Sequence, residues 1–237
     1  QAGGGATLGG NLFLHTQNGY QPLANDSFNP VGYSNVSGAF NSVSSNVQIA
    51  PLSTGLRSVL TPGAPNPFTI LNVVSRKTHG TAGVYDLPLS LGPTIGVECR
   101  NSGGQHTLVF TFNNQIVSGN ASVASGTGQI AGAPTFSGRT MTVSLTAVSD
   151  VQRLTVMLSG VTDAVAQVFP DTAVTIGFLV GDTTGNGTVN ASDIGQTKGQ
   201  SGAAVTSANF RTDVTANGAI SASDIGLVKS RSGASLP

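Results

Sequence analysis

Along residues 107–112 of the chain, Leu108, Phe110 and Phe112 alternate with Thr107, Val109 and Thr111. Along residues 140–145, Met141, Val143 and Leu145 alternate with Thr140, Thr142 and Ser144. Successive side chains of a strand point to opposite faces, so each pattern predicts a strand with one face buried. Further runs rich in β-branched residues occupy residues 68–74, 83–89, 95–99, 115–123, 153–161 and 174–180, with glycine-bearing turn clusters at 101–104, 125–128 and 137–138. Short strands punctuated in this way predict a mainly β domain over residues 67–180, an antiparallel β-sandwich that is immunoglobulin-like or cohesin-like in strand count.

The pattern changes on both sides of that domain. Residues 1–66 are rich in Gly, Asn, Ser and Pro with short apolar islands at 11–14 and 47–50, which predicts an N-terminal arm. Such an arm is ordered either by its own strand pairing or by donating a strand to the exposed sheet edge of a neighbour. Beyond residue 180 the two-residue period gives way to helical spacing, so residues 181–237 form a third, small segment.

That third segment is a tandem repeat. Residues 181–198 read GDTTGNGTVNASDIGQTK and residues 212–229 read TDVTANGAISASDIGLVK, in register at an offset of 31. Both copies fit a twelve-residue cation loop, with an acid at positions one and twelve, side-chain oxygens at three and five, and glycine at six. A hard cation takes six to eight oxygens from a chain that curls tightly around it. In the first copy Asp182, Thr184 and Asn186 offer side-chain oxygens, Thr188 a backbone carbonyl, Asn190 a water-mediated contact and Asp193 a bidentate carboxylate. Asp213, Thr215, Asn217, Ala219, Ser221 and Asp224 occupy the same places in the second. Gly187 and Gly218 sit where the loop bends most sharply. Val189 and Ile220 are expected to pack on each other, with Ile194 and Ile225, so that the two loops share one core.

The two loops, each followed by a helix reading Asp-Ile-Gly-x-x-Lys, resemble the dockerin module over roughly residues 180–235. The resemblance implies a small α-helical loop–helix module, two Ca2+ sites, an extracellular setting and a cohesin-like partner. Position three is Thr184 or Thr215 where the family usually has Asp or Asn, and position five is Asn, so each loop has only two carboxylates. That charge count points to dissociation constants of roughly 10⁻⁴ to 10⁻³ M, which only extracellular calcium satisfies. The family's partner-contacting pair ahead of the acid is Ala191-Ser192 and Ala222-Ser223 here.

Composition removes other functions. Ten basic and ten acidic residues among 237 give a formal charge of zero, which offers nothing to nucleic acid or an anionic membrane. No apolar stretch is long enough to span a bilayer, and the opening residues carry no basic-then-apolar leader, as expected of a processed, secreted chain. The single cysteine, Cys99, excludes an internal disulfide and reads as a small buried hydrophobe. His79 lies near Asp86 in sequence, yet no nucleophile elbow, zinc-binding helix or phosphate loop accompanies it, so no enzyme is expected. Absence of Trp leaves little for a sugar platform. The expected function is therefore a secreted, calcium-binding structural or adhesive protein that assembles head to tail into an extracellular fibre or matrix, its partner another copy or a cohesin-like domain. The alternative is a scaffold-docking or carbohydrate- or cell-wall-binding protein with a dockerin-like tail.

Overall fold

A computed structural model describes residues 68–237, apart from 93 and 102, and before residue 68 the backbone of short strands. The chain divides into two compact units, Gln1–Pro67 and Phe68–Pro237. In the first unit β1 (Gly5–Leu8) pairs in parallel with β4 (Asn35–Gly38), and β2 (Asn11–Leu12) with β5 (Ser42–Val43). There β3 (Ser27–Gly32), β7 (Gly55–Leu60) and β6 (Val47–Leu52) form an antiparallel sheet in that order. Side chains that would donate to a neighbour's edge lie outside the described residues.

The second unit contains two sheets facing each other. One holds β8 (Ile70–His79), β9 (Gly83–Leu89), β11 (His106–Phe112), β13 (Gln129–Ile130), β14 (Thr135–Ser137) and β15 (Thr140–Thr146), in the order β13-β15-β11-β8-β9 with β14 also on β15. The other holds β10 (Val97–Glu98), β12 (Ile116–Ser125), β16 (Gln152–Asp163) and β17 (Thr172–Phe178), in the order β10-β17-β16-β12. The mainly β sandwich expected from the alternation is present. Pairing is antiparallel except for β10 on β17, a short parallel contact of Val97 with Gly177 and Glu98 with Phe178.

The alternating sets meet in register. Leu108 lies opposite Val143 and Phe110 opposite Met141, and all four are fully buried. From the facing sheet Leu154 and Val156 pair with Ile176 and Val174, which closes the core between the layers. Along β16 the inward set runs Leu154, Val156, Leu158 and then Val161, a change of parity that falls at Gly160. Gly160 has φ +57° beside a register shift against β12, so a bulge re-aims the rest of the strand inward.

Past β17 the chain makes two loop–helix turns. Helix α1 (Ala191–Gly199) is capped by Asn190 and α2 (Ala222–Ser230) by Ser221, each in a reciprocal capping box closed by Asp193 or Asp224. The aspartate at loop position twelve is thus also the third residue of its helix. Side chains of the helices and loops divide between two clusters. Val189 joins Leu179, Val214, Val228 and Leu236, whereas Ile220 joins the sandwich core with Val205 and Phe210. The shared loop–loop core expected from Val189 and Ile220 does not form, because each anchor is claimed by a different neighbour: the C-terminal tail for Val189 and the sandwich for Ile220.

Candidate metal centre

Each loop is built by its first acid. Asp182 accepts from the backbone N–H of Gly185 (2.8 Å) and Asn186 (3.1 Å) on Oδ1 and of Gly187 (2.8 Å) on Oδ2, which pulls the chain around the carboxylate. In the second loop Asp213 accepts from Asn217 (3.1 Å) on Oδ1 and from Gly218 (2.9 Å) on Oδ2. This curl requires left-handed backbone at position six, where Gly187 has φ +84° and Gly218 φ +91°. Position four is left-handed as well, Gly185 at +74° and Ala216 at +52°.

The second acid closes the loop from the helix side. Thr184 Oγ1 donates to Asp193 Oδ1 at 2.9 Å and lies 3.3 Å from Asp182 Oδ1, so one hydroxyl spans both carboxylates. Thr215 does the same between Asp224 (2.8 Å) and Asp213 (3.3 Å). Asn186 and Asn217 use their Oδ1 to hold the N–H of Thr188 and Ala219, at 2.9 Å each. Asn190 and Ser221, assigned water-mediated contacts from sequence, cap the helices by accepting from Ser192 and Ser223.

All four aspartates are fully buried, and among the described residues no Lys or Arg side chain pairs with any of them. Two like charges drawn together behind one hydroxyl, away from water, demand a positive charge between them. The aspartate, threonine and asparagine side chains of the loops offer oxygen, which suits a hard cation of the calcium type and not a soft one; the one ring nitrogen beside them, His79 Nδ1, engages Asp213 Oδ2 from outside the second loop. The arrangement therefore fits the ion that the repeat implies.

Residues 180–231 match the dockerin type I domain. No curated protein and no solved structure matches the chain. A dockerin is a non-catalytic module that binds calcium through duplicated loops and docks onto cohesin partners, and it accounts for the C-terminal part of this chain alone. Among the described residues no helix is long and apolar enough to cross a membrane.

The dockerin module is seated on the sandwich, within the same compact unit, through its second loop. The turn between β8 and β9 presses into that loop, Gly80 donating its N–H to the carbonyl of Ala216 (3.1 Å), and from the segment after β10 Asn101 donates its N–H to the carbonyl of Val214 (2.7 Å). A Cβ on Gly80 would lie 2.1 Å from the carbonyl oxygen of Asn217, and one on Gly218 would lie 2.8 Å from that of His79. Close approach is thus a second reason for Gly218, beyond the bend read from sequence. Phe210 stacks on Tyr85 at 5.3 Å and 7°, and the Tyr85 hydroxyl donates to the Val205 carbonyl at 3.0 Å.

A buried polar chain runs under this seat. Arg100 is fully buried and forks onto Glu98, Nε to Oε1 at 2.9 Å and Nη2 to Oε2 at 2.7 Å. It also donates to the carbonyls of Ser75 (2.7 Å) and Tyr85 (3.1 Å), and its Nη1 lies 3.1 Å from His79 Nε2. On the other side of the ring, His79 Nδ1 is 2.9 Å from Asp213 Oδ2. Burial alone would raise the Glu98 carboxyl, but the charge and hydrogen bonds of Arg100 outweigh it and hold Glu98 at about 2.

His79 and Asp86 are close in sequence but point to different places. Asp86 faces outward and pairs with Arg76 at 2.7 Å, while His79 points inward to Asp213 of the second loop. Cys99 is buried as expected, its Sγ 3.7 Å from the carbonyl of Arg211, and burial raises its thiol to about 11. Arg211 in turn donates to the carbonyls of Thr183 (2.9 Å) and Asp182 (3.2 Å), bracing the first loop from the inter-loop connector. No sequence signal pointed to Arg211, Arg100 or Glu98, since each acts through contacts distant along the chain.

Proposed function

We propose that the chain is a secreted, non-enzymatic scaffold-docking protein, anchored to a cohesin-type partner by a C-terminal dockerin module that holds two calcium ions. The first ion is held by Asp182, Thr184, Asn186, Asp193 and the carbonyl of Thr188. The second is held by Asp213, Thr215, Asn217, Asp224 and the carbonyl of Ala219. The observation that carries this reading is the pair of loops, each enclosing two buried carboxylates that no Lys or Arg side chain of the described residues neutralises. When bound, calcium supplies that missing charge; the chain's own part is to curl the loops and start the helices at Asp193 and Asp224. With two carboxylates per loop, occupancy needs calcium in the range of roughly 10⁻⁴ to 10⁻³ M, which supports action outside cells.

Docking through the helices is supported by their exposed faces. Ala191-Ser192 and Ala222-Ser223 are all exposed although the module is seated on the sandwich, so the seat leaves both helix starts free for a partner. Head-to-tail fibre assembly is the weaker reading, because the backbone of the N-terminal unit pairs strand with strand within itself. Two measurements test the proposal: calorimetric titration of the full chain with calcium, and retention on an immobilised cohesin domain with calcium and with chelator. Two bound ions and chelator-sensitive retention are expected. Calcium-dependent filaments in electron micrographs, without retention on cohesin, would return the fibre reading.

A further inference from the structure

We propose that His79, a residue of the sandwich, is a positioning residue of the second calcium site, so that calcium in this loop and the seating of the dockerin module on the sandwich are one coupled equilibrium. The inference rests on the calcium reading above and goes beyond it, since nothing in the loop repeat or in the dockerin match involves residues before 180.

The argument starts from the tautomer. A guanidinium has only hydrogens to offer, so Arg100 Nη1, 3.1 Å away, donates to His79 Nε2. His79 Nε2 is therefore the acceptor and Nδ1 carries the proton, which it donates to Asp213 Oδ2 at 2.9 Å. Arg100 is itself immobilised by the Glu98 fork and by two backbone carbonyls, so the ring is held from behind by a fully buried, fully engaged group. Asp213 Oδ2 accepts from both His79 and Gly218 N–H, while Oδ1 accepts from Asn217 N–H and lies 3.3 Å from Thr215 Oγ1, so the carboxylate is oriented from the sandwich through Oδ2 and from its own loop through Oδ1.

This is the arrangement by which outer-shell groups orient a ligating carboxylate. The first loop lacks it: among the described residues Asp182 Oδ2 accepts from Gly187 N–H, and the external brace, Arg211, reaches backbone carbonyls and not the carboxylate. The two loops, which share one pattern of acids, Thr, Asn and Gly, are thus inequivalent in structure. Because binding linkage is reciprocal, whatever His79 and the Gly80–Ala216 contact contribute to calcium in the second loop, calcium contributes to the seat.

The test is calorimetric titration of the full chain with calcium, comparing the unaltered protein with His79→Leu and His79→Asn. Loss of an outer-shell partner weakens metal binding roughly 10- to 100-fold. We expect His79→Leu to weaken one site by about tenfold or more and to leave the other unchanged, and His79→Asn, which keeps an N–H donor, to recover most of the affinity. Both sites unchanged in His79→Leu, or both weakened alike, overturns the coupling. Failure of the unaltered protein to bind calcium instead overturns the calcium reading itself. Hydrogen exchange on the unaltered chain needs no variant to fold. Calcium should protect residues 76–86 of the sandwich together with residues 213–224, whereas protection confined to the loops and helices overturns the proposal.

Discussion

His79 and Asp213 lie 134 residues apart and meet at 2.9 Å with both side chains fully buried. The contact joins a strand of the sandwich to the first acid of the second dockerin loop, and makes the dockerin module part of the domain it follows. A docking module tethered by a flexible linker explores many orientations. One seated through Gly80, His79, Tyr85 and Asn101 presents its helices at an angle set by the sandwich.

The polar chain beneath the seat is the first place to test this. Removing one member of a buried ion pair leaves an uncompensated charge and costs about 3–5 kcal/mol. Arg100→Met should destabilise the chain by about that amount, because Glu98 loses its fork and the carbonyls of Ser75 and Tyr85 lose a donor. Glu98→Leu combined with Arg100→Met should recover part of the loss, since no lone charge then remains. Urea unfolding of the three proteins at fixed calcium reads the result; a double variant as unstable as the single one would show that the carbonyls, not the charge, dominate.

Acid should weaken the fold in two stages. Burial pushes His106 down to about 4 from an ordinary 6.5, so the unfolded chain binds a proton between those values that the folded chain refuses. Stability contributed by neutral His106 is therefore complete above pH 6.5 and lost progressively as pH falls to 4, about 3 kcal/mol in all. Glu98, held at about 2 against an ordinary 4.5, adds a further loss below pH 4.5 as the unfolded state takes up its proton first. Thermal unfolding of the chain and of His106→Phe, both saturated with calcium, should show a shallower slope between pH 6.5 and 4 in the variant. Equal slopes would mean that His106 is readily protonated in the folded state.

Ala216 is held at φ +52°, where its Cβ crowds the following carbonyl at a cost of about 1–2 kcal/mol. The equivalent residue of the first loop is Gly185. Ala216→Gly should relieve the strain while keeping the carbonyl that Gly80 uses, for a net gain of about 1 kcal/mol after the added chain entropy. A higher urea midpoint at constant calcium checks it. A lower one would mean that the alanine methyl makes a packing contribution larger than the strain.

How much of this was readable beforehand follows from the range over which each signal acts. The alternation in residues 107–112 and 140–145 identified the core faces because burial acts on each side chain in turn, and Phe110 and Met141 do face each other inside. The two loops of the repeat were legible as loops because twelve consecutive residues carry the whole pattern. Strands β13 and β14 were not, being two and three residues long with their order imposed by β15. Nor could the repeat reveal that Val189 and Ile220 part company, because apolar residues at equivalent positions meet different neighbours. The pairing of His79 with Asp213 leaves no local trace in either segment.

The C-terminal tail gives the first loop a support of its own. Gly233 N–H donates to the Val189 carbonyl (2.9 Å), Val189 N–H to Ala234 (2.8 Å) and Leu236 N–H to Gly187 (2.9 Å), so residues 233–236 lie antiparallel along the loop about a single bridge of Thr188 with Ser235. Leu236 joins the cluster around Val189, and its Cδ1 occupies the space beside Gly177 of β17, where a Cβ would come within 2.6 Å. The backbone held in this way includes Gly187 and Val189, on either side of the carbonyl that Thr188 would offer to calcium. Removing residues 233–237 should therefore weaken the first site, by about tenfold for each 1.4 kcal/mol of lost support, and spare the second. Calorimetric titration distinguishes the cases: with the tail gone and His79 intact, the site that keeps its affinity should be the one that His79→Leu weakens, and a chain lacking both supports should bind both ions more weakly than the unaltered protein. If tail removal and His79→Leu weaken the same site, the loops are not held independently, and the assignment of one brace to each would have to be given up.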